Sequence, residues 1–353
     1  MNDLCRNGIL SRIKARIRSS DAIDGILLTH EADVMYAAGF FSGGALLLIT
    51  GDAMPVFFID TMNAPLAMAM LKNVMVRIVA GSASVKLPEI LKRKKVKKLG
   101  INGAYATMSL EAVIKNARPA VDIVKCPPIL ENMRVQKSES EIRLIRHLAR
   151  ETVKIWNDVH TEMRPGMSEI ALASLIDSMI RTRGYYNSFK TISAVGANTA
   201  YPHAVPTKKK LTDGAHGVFD FGIQFNGYCS DLTRVLVTGR ISPKIKRLYD
   251  AVLFAHDNAI QKLEPGVKIG EVVRGVNKYF KDKGLGSYIC HSLGHGVGLD
   301  IHEAPHLRES SEEVLREGMI VTIEPGLYAA GIGGIRIEDM ILITAKGREV
   351  LTR

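Results

Sequence analysis

Apolar positions up to about residue 130 fall into short runs of strand length, separated by stretches of helical rhythm. Residues 23–29 (IDGILLT), 45–50 (ALLLIT) and 55–60 (PVFFID, after the Gly51-Asp52 turn) are strand-sized, and 121–125 adds a further short strand. Residues 64–72 and 87–94 carry helical spacing. Strands alternating with helices predict a small α/β domain over residues 1–130. Cys126-Pro127-Pro128 closes it, because paired prolines continue neither helix nor sheet. The rhythm then lengthens. Ser138-x-x-Glu141 is a capping box that opens a helix over 139–163, with Ile142, Ile145, Leu148, Val153, Ile155, Trp156 and Val159 at three/four spacing. Arg164-Pro165-Gly166 ends it. Ser168 caps a second helix, which Gly184 terminates.

The pattern after residue 163 occurs twice. Residues 163–186 (MRPGMSEIALASLIDSMIRTRGYY) and 263–286 (LEPGVKIGEVVRGVNKYFKDKGLG) share a Pro-Gly, a helix and a closing glycine. Each is followed by a histidine-bearing segment, Tyr201-Pro202-His203 in one copy and Asp300-Ile301-His302 in the other. Each then gives a pair of strands with two acids, Asp220 and Asp231 first, Glu324 and Glu338 second. The period is too long for a solenoid. It predicts an α+β domain over 131–353 built from two pseudo-symmetric halves, with a site between them.

Residues 218–237 (VFDFGIQFNGYCSDLTRVLV) read as a β-hairpin around Asn226-Gly227. With Asn226-Gly227 as a two-residue loop, Asp231 lies across from Gly222. With Phe225-Asn226 as the loop, it lies across from Asp220. Side chains alternate faces with period two, so both registers put the two carboxylates on one face. Like charges there repel unless a cation sits between them or water solvates them.

Length and charge narrow the setting. A chain of 353 residues is long for one core, which fits two domains. No apolar run reaches membrane-spanning length, and there is no signal-peptide core. The Arg-rich segment 10–20 (LSRIKARIRSS) has the rhythm of a surface helix. Cys5, Cys126, Cys229 and Cys290 show no CxxC spacing and read as reduced thiols in a cytoplasmic protein, with Cys229 and Cys290 as inert, buried ones. The net charge of +11 raises the question of a nucleic-acid or anionic-membrane partner. The basic residues are dispersed and no aromatics interleave with them, so solvated surface is the better reading.

Asp220, Asp231, His295, Glu324 and Glu338 are the candidate ligands. Four carboxylates and one imidazole cannot gather in a cleft uncompensated, and two divalent metal ions would balance most of the charge. Oxygen ligands with one nitrogen suit Mn²⁺, Co²⁺, Fe²⁺ or Zn²⁺. Such a pair can hold a hydroxide at neutral pH and steady the oxyanion of an attacked amide. Taken singly, Gly294-His295-Gly296 would be a loop, Glu324-Pro325-Gly326 a turn and Glu338-Asp339 a solvated strand end.

These residues resemble the pita-bread metallopeptidases: prolidase, aminopeptidase P and methionine aminopeptidase. The resemblance rests on Asp220-Phe221-Gly222, Ser230-Asp231-Leu232-Thr233-Arg234, Gly294-His295-Gly296-Val297-Gly298-Leu299, His302-Glu303-Ala304-Pro305, Ile323-Glu324-Pro325-Gly326 and Gly334-Ile335-Arg336-Ile337-Glu338-Asp339. Tyr201-Pro202-His203 and Arg336 point to the proline-directed branch. In the N-terminal domain, residues 33–40 (DVMYAAGF) only approximate the family's pattern.

The resemblance implies a creatinase-like N-terminal domain before a pita-bread catalytic domain. It implies that Asp220 chelates one metal, that Asp231 and Glu338 bridge both, and that His295 and Glu324 complete the other. Mn²⁺ or Co²⁺ are the foremost candidates. Glu324 would also carry a proton from the attacking water to the leaving imino nitrogen. His203 and His302 would bind the substrate carbonyl. Arg336 would orient Asp231 or the product-side carboxylate. The expected substrate is a peptide with proline at the second position and the expected assembly a homodimer, with no nucleic-acid or membrane partner. An Xaa-Pro dipeptidase is favoured, since His306-Leu307-Arg308 offers cations for a free carboxylate. Aminopeptidase P is the alternative and an inactive binding relative a remote one.

Overall fold

Short β-rich runs bounded by turns form strands, and the first part of the chain supplies six of them. The computed structural model describes residues 3–117, 121–126 and 128–353; Pro127 of the expected break and the side chain of Cys5 lie outside the described residues. The chain divides into two units, Met1–Met133 and Arg134–Arg353.

In the first unit β1 (Gly25–Leu28), β2 (Leu46–Thr50), β3 (Val56–Asp60), β4 (Met75–Val79), β5 (Lys98–Ile101) and β6 (Asp122–Lys125) form one sheet in the order β4-β3-β2-β1-β5-β6. The pairs β1–β2 and β2–β3 are antiparallel and the others parallel. Helices α1 (Asp3–Arg18), α2 (Glu31–Ala38), α3 (Ala64–Met70), α4 (Leu87–Arg93) and α5 (Met108–Ala117) accompany the strands, and α6 (Ile129–Val135) follows them. Leu47, Leu48, Phe57 and Phe58 are fully buried, which is why their runs are apolar on both faces. The sequence pattern missed β4, β5, α2 and α5. Arg77 interrupts the apolar run of β4, an edge strand, and β5 opens on Lys98.

The second unit has α7 (Glu139–Glu162) and α8 (Glu169–Thr182), then β7 (Tyr186–Asn187) and β8 (Ile192–Val195). The Ser138/Glu141 capping box is present. A long hairpin follows as β9 (His216–Phe221), β10 (Ile223–Phe225), β11 (Tyr228–Cys229) and β12 (Leu232–Val237). The second helix pair is α9 (Pro243–Gln261) and α10 (Ile269–Asp282). It leads to β13 (Gly294–Gly296), β14 (Glu303–Leu307), β15 (Ile320–Ile323), β16 (Gly326–Ala329), β17 (Gly333–Arg336), β18 (Asp339–Thr344) and β19 (Gly347–Val350).

The repeat seen in the sequence is a repeat of backbone bonds. Gly166 and Gly266 both take positive φ, 93° and 90°. The Gly166 amide donates to Leu211 O and the Gly266 amide to Leu315 O. Each half adds an isolated bridge at the equivalent place, Ser168 with Lys210 and Lys268 with Val314.

Both hairpins hold one register and lose their ladder in the middle. Phe225 pairs with Tyr228 around Asn226-Gly227, and the same count places Phe221 opposite Leu232. This is the first of the two expected registers. In the second hairpin Ile323 pairs with Asp339 and Gly326 with Arg336, in one continuous count. The breaks fall at Gly222/Asp231 and at Glu324/Glu338. At the first break the chains crowd: a Cβ on Gly222 would sit 1.8 Å from Ser230 O. Gly222→Ala is therefore expected to destabilise the protein by at least about 2 kcal/mol, seen as a lower urea midpoint. Gly331→Ala, in open space but at positive φ, should cost only about 1 kcal/mol.

Candidate metal centre

Period-two alternation delivers the first two acids. Asp220 stands in β9 opposite Thr233, and Asp231 immediately precedes β12. The second hairpin sets Glu324 after β15 and Glu338 before β18. His295 occupies β13, which pairs with β14 on one side and β15 on the other. All five line one cavity of about 1080 Å³. Ligand atoms of Asp231, His295 and Glu338 lie within 4.8 Å of one another, and all three residues are buried. His295 Nε2 is 3.3 Å from Glu324 Oε1 and 3.7 Å from Asp231 Oδ2.

The charge in this cluster is under-compensated. Burial first, then the charges of Glu338, Asp220 and Glu324, push the Asp231 carboxyl well above the usual carboxylate range. Burial, then Glu324 and Asp220, does the same to Glu338. Burial raises Asp220 as well, against the pull of Arg336. Burial also acts to raise Glu324, but the hydrogen bond and charge of His295 outweigh it and hold that carboxyl below its usual range. Asp220 Oδ1 and Glu338 Oε1 are buried and no protein donor reaches them. Buried carboxyl oxygens without a protein donor, in one cavity with an imidazole, are a donor set that fits a divalent cation, which would displace their protons.

Arg336 is placed differently from the expectation. Its Nη2 donates to Asp220 Oδ2 at 2.6 Å, not to Asp231. It stands in β17 opposite Gly326, and its remaining donors go to Thr233 Oγ1, Tyr328 Oη and Pro202 O. With those partners it is buried and uses four of its five N–H donors. His302 sits edge-on to His295 with ring centroids 4.3 Å apart; burial and then His295 hold its imidazole below the usual range. His203 is an exposed side chain on the cavity wall. Cys229 is buried, its thiol pushed up to about 11 by burial, as an inert thiol should be. Cys290, by contrast, is exposed on the cavity wall.

The sequence reading missed three supporting residues. Thr233 Oγ1 donates to Glu338 Oε2 at 2.8 Å; two positions after Asp231, it shares that residue's face, which was the available signal. Tyr328 Oη accepts from Arg336 and bonds His291 Nε2 at 2.9 Å. Nothing in a lone tyrosine and histidine 37 positions apart announces that pair.

Comparison with known proteins agrees with this geometry. Residues 143–345 match metallopeptidase family M24, and residues 10–136 match the creatinase/prolidase N-terminal domain. The chain is 34% identical to the Xaa-Pro dipeptidase of Pyrococcus horikoshii over 94% of this chain and 93% of that one. Among solved structures, the Xaa-Pro dipeptidase from Bacillus anthracis superposes with a TM-score of 0.92 at 33% identity, covering 99% and 98% of the two chains. The X-Pro aminopeptidase from Thermotoga maritima superposes with a TM-score of 0.86 at 28% identity, covering 96% and 97%.

The raised carboxyls have a consequence for stability. Asp231 and Glu338 keep protons in the folded chain at pH values where the unfolded chain has released them. From the ordinary carboxylate range, about pH 4, up to their raised values, this makes the metal-free protein less stable as pH rises. The Asp231→Asn, Glu338→Gln double variant removes that contribution. In chelator it should melt above the wild type at about pH 8 and show a smaller advantage at about pH 5. A saturating divalent metal should reverse the order at the higher pH, since the variant lacks two of the candidate ligands. Differential scanning calorimetry reads both comparisons; no difference between the proteins in chelator would show that the cluster bears no burial cost.

Proposed function

The chain belongs to metallopeptidase family M24, and we propose that it is an Xaa-Pro dipeptidase that works with two divalent metal ions, Mn²⁺ or Co²⁺ foremost. The observation that carries the reading is the buried, under-compensated cluster of four carboxylates and one imidazole lining the cavity. Asp220, Asp231, His295, Glu324 and Glu338 would hold the ions. Bound ions would activate a water at neutral pH and polarise the scissile carbonyl.

The chain's own residues do the rest. Glu324, held ionised by its His295 contact, accepts the proton of the attacking water and passes it to the proline nitrogen as that bond breaks. His203 and His302, both on the cavity wall, donate to the substrate carbonyl and its developing oxyanion. Arg336 fixes Asp220 Oδ2 and spends four of its five N–H donors within the protein, which leaves little for a substrate carboxylate. The free carboxylate of a dipeptide must then meet another cation, because burying it unpaired is costly. Arg308 lines the cavity and takes that role, next to His306. The Xaa-Pro dipeptidases that the chain resembles support this choice over an aminopeptidase.

A homodimer is the proposed assembly, and α3 is where it would form. Leu66, Met68 and Met70 are exposed on this helix, with Met75 and Ile78 exposed on the edge strand β4. A helix apolar on its solvent side is a helix awaiting cover. A chain of charge +11 repels its own copies, so a second copy can approach most cheaply over a face without charge, and residues 61–71 have none. The free thiols of Cys126, Cys229 and Cys290 support a reducing compartment, hence the cytoplasm.

Metal analysis, kinetics and light scattering test these readings. Metal-loaded protein should contain two ions per chain and hydrolyse Leu-Pro with a higher kcat/KM than Leu-Pro-Gly. Glu324→Gln should abolish turnover, and Arg308→Ala should raise KM for the dipeptide alone. A tripeptide preferred about tenfold, some 1.4 kcal/mol in transition-state binding, would make the enzyme an aminopeptidase instead. For the assembly, light scattering should give a dimer that Leu66→Glu with Met68→Glu splits into monomers. A monomeric wild type would refute the interface.

A further inference from the structure

One carboxylate outside the ligand cluster is fully buried and fully engaged. Glu169 opens α8 and is 0% exposed. Its Oε1 accepts from the Val195 amide at 2.8 Å and from Asn198 Nδ2 at 3.0 Å. Its Oε2 accepts from the Thr207 amide at 2.8 Å and from Thr207 Oγ1 at 2.6 Å. These donors, with the positive end of the α8 dipole, replace the water that the carboxylate loses. They also stand at the two ends of one loop. Val195 is the last residue of β8, and Thr207 begins the return towards β9. Between them, residues 196–206 carry Tyr201, Pro202, His203 and Val205 into the cavity wall. The loop's middle has a further tether, Arg336 Nη1 to Pro202 O at 3.2 Å.

The second half of the unit is a built-in control. Ile269 occupies the place of Glu169, one hundred residues on in the repeat, and is likewise buried. The surrounding backbone bonds are the same. The Glu169 amide donates to Lys209 O and the Ile269 amide to Glu313 O. The Ile170 amide donates to Thr207 O and the Gly270 amide to Ser311 O. The junction therefore forms without a carboxylate. What the first half has in addition is a carboxylate bonded to both ends of the loop that bears His203.

We propose that Glu169 is a positioning residue for His203: it fastens both ends of the 196–206 loop and so fixes where the imidazole meets the substrate. The role of His203 in this statement rests on the dipeptidase reading above; the fastening does not. Glu169→Gln keeps the shape but turns one acceptor into a donor facing other donors. Hydrogen exchange of the amides in 196–206 should become faster while the metal content stays at the wild-type value. With Leu-Pro, kcat/KM should fall by about 10²-fold, the scale of a misplaced catalytic contact. In a His203→Ala background the same change should add little, because the two act through one contact. Thr207→Val removes one of the five hydrogen bonds to the carboxylate, that from Thr207 Oγ1, and should show the same effects more weakly if Glu169→Gln fails to fold. Unchanged loop exchange overturns the proposal. So does a loss that multiplies in full with His203→Ala. Failure of the wild type to cleave Xaa-Pro would strike the functional reading alone, since the exchange comparison needs no substrate.

Discussion

Four carboxylates brought into one buried cluster are a cost that the rest of the second unit is arranged to bear. Their protons and their neighbours show it: Asp231 and Glu338 are pushed well above the usual range chiefly by burial, and Arg336 is pinned to Asp220. One guanidinium cannot balance four acids, and the nearest imidazole is already close to Glu324. The cluster is stable as an anionic site only when cations enter it. That is a property of the charges alone, and it precedes any argument about peptides.

The backbone that holds these acids is economical. Each half makes one hairpin, keeps its register from base to tip, and interrupts the ladder where the acids stand. An interrupted ladder frees side chains at the break from the ordinary sheet face, yet the paired strands on either side hold them in place. Close approach is the counterpart of that precision. Gly222 leaves room for the Ser230 carbonyl, and Gly294 and Gly296 do the same for Thr322 and Ala304 beside His295. Side chains there would force the backbone apart at the very positions that fix the ligands.

What could be read from the sequence follows from what is local. The common face of Asp220 and Asp231 needed only the two-residue period and the Asn226-Gly227 turn, whose positive φ angles of 51° and 83° the structure shows. The repeat was legible because Pro-Gly, helix and glycine recur at fixed spacing, and each closing glycine, Gly184 and Gly284, takes positive φ. The partner of Arg336 was not legible. Choosing Asp220 over Asp231 depends on how β17 lies against β9, a long-range fact with no trace in local pattern. The edge strand β4 escaped for the opposite reason: Arg77 and solvent exposure dilute the pattern that burial would have sharpened.

The repeat also separates scaffold from chemistry. Where the halves agree, at the Pro-Gly junctions and the bridges that follow them, the residues serve the fold. Where they differ, a side chain answers to something present in one half only. Arg336 projects from the tip strands of the second hairpin and reaches across to Asp220 of the first, tying the halves through charge. Glu338 is tied the same way by backbone and side chain: its amide donates to Thr233 O, and its Oε2 accepts from Thr233 Oγ1. The candidate ligands Asp220 and Glu338 are thus each bonded by a residue of the other half. Cross-ties of this kind hold the two hairpins together at the cluster, and loops complete the cavity wall around it. Of those loops, the one bearing His203 is anchored by a carboxylate that the matching position, Ile269, does not have. The division of labour is physical: duplicated backbone sets the acids, and unduplicated side chains aim the groups that must find a particular peptide.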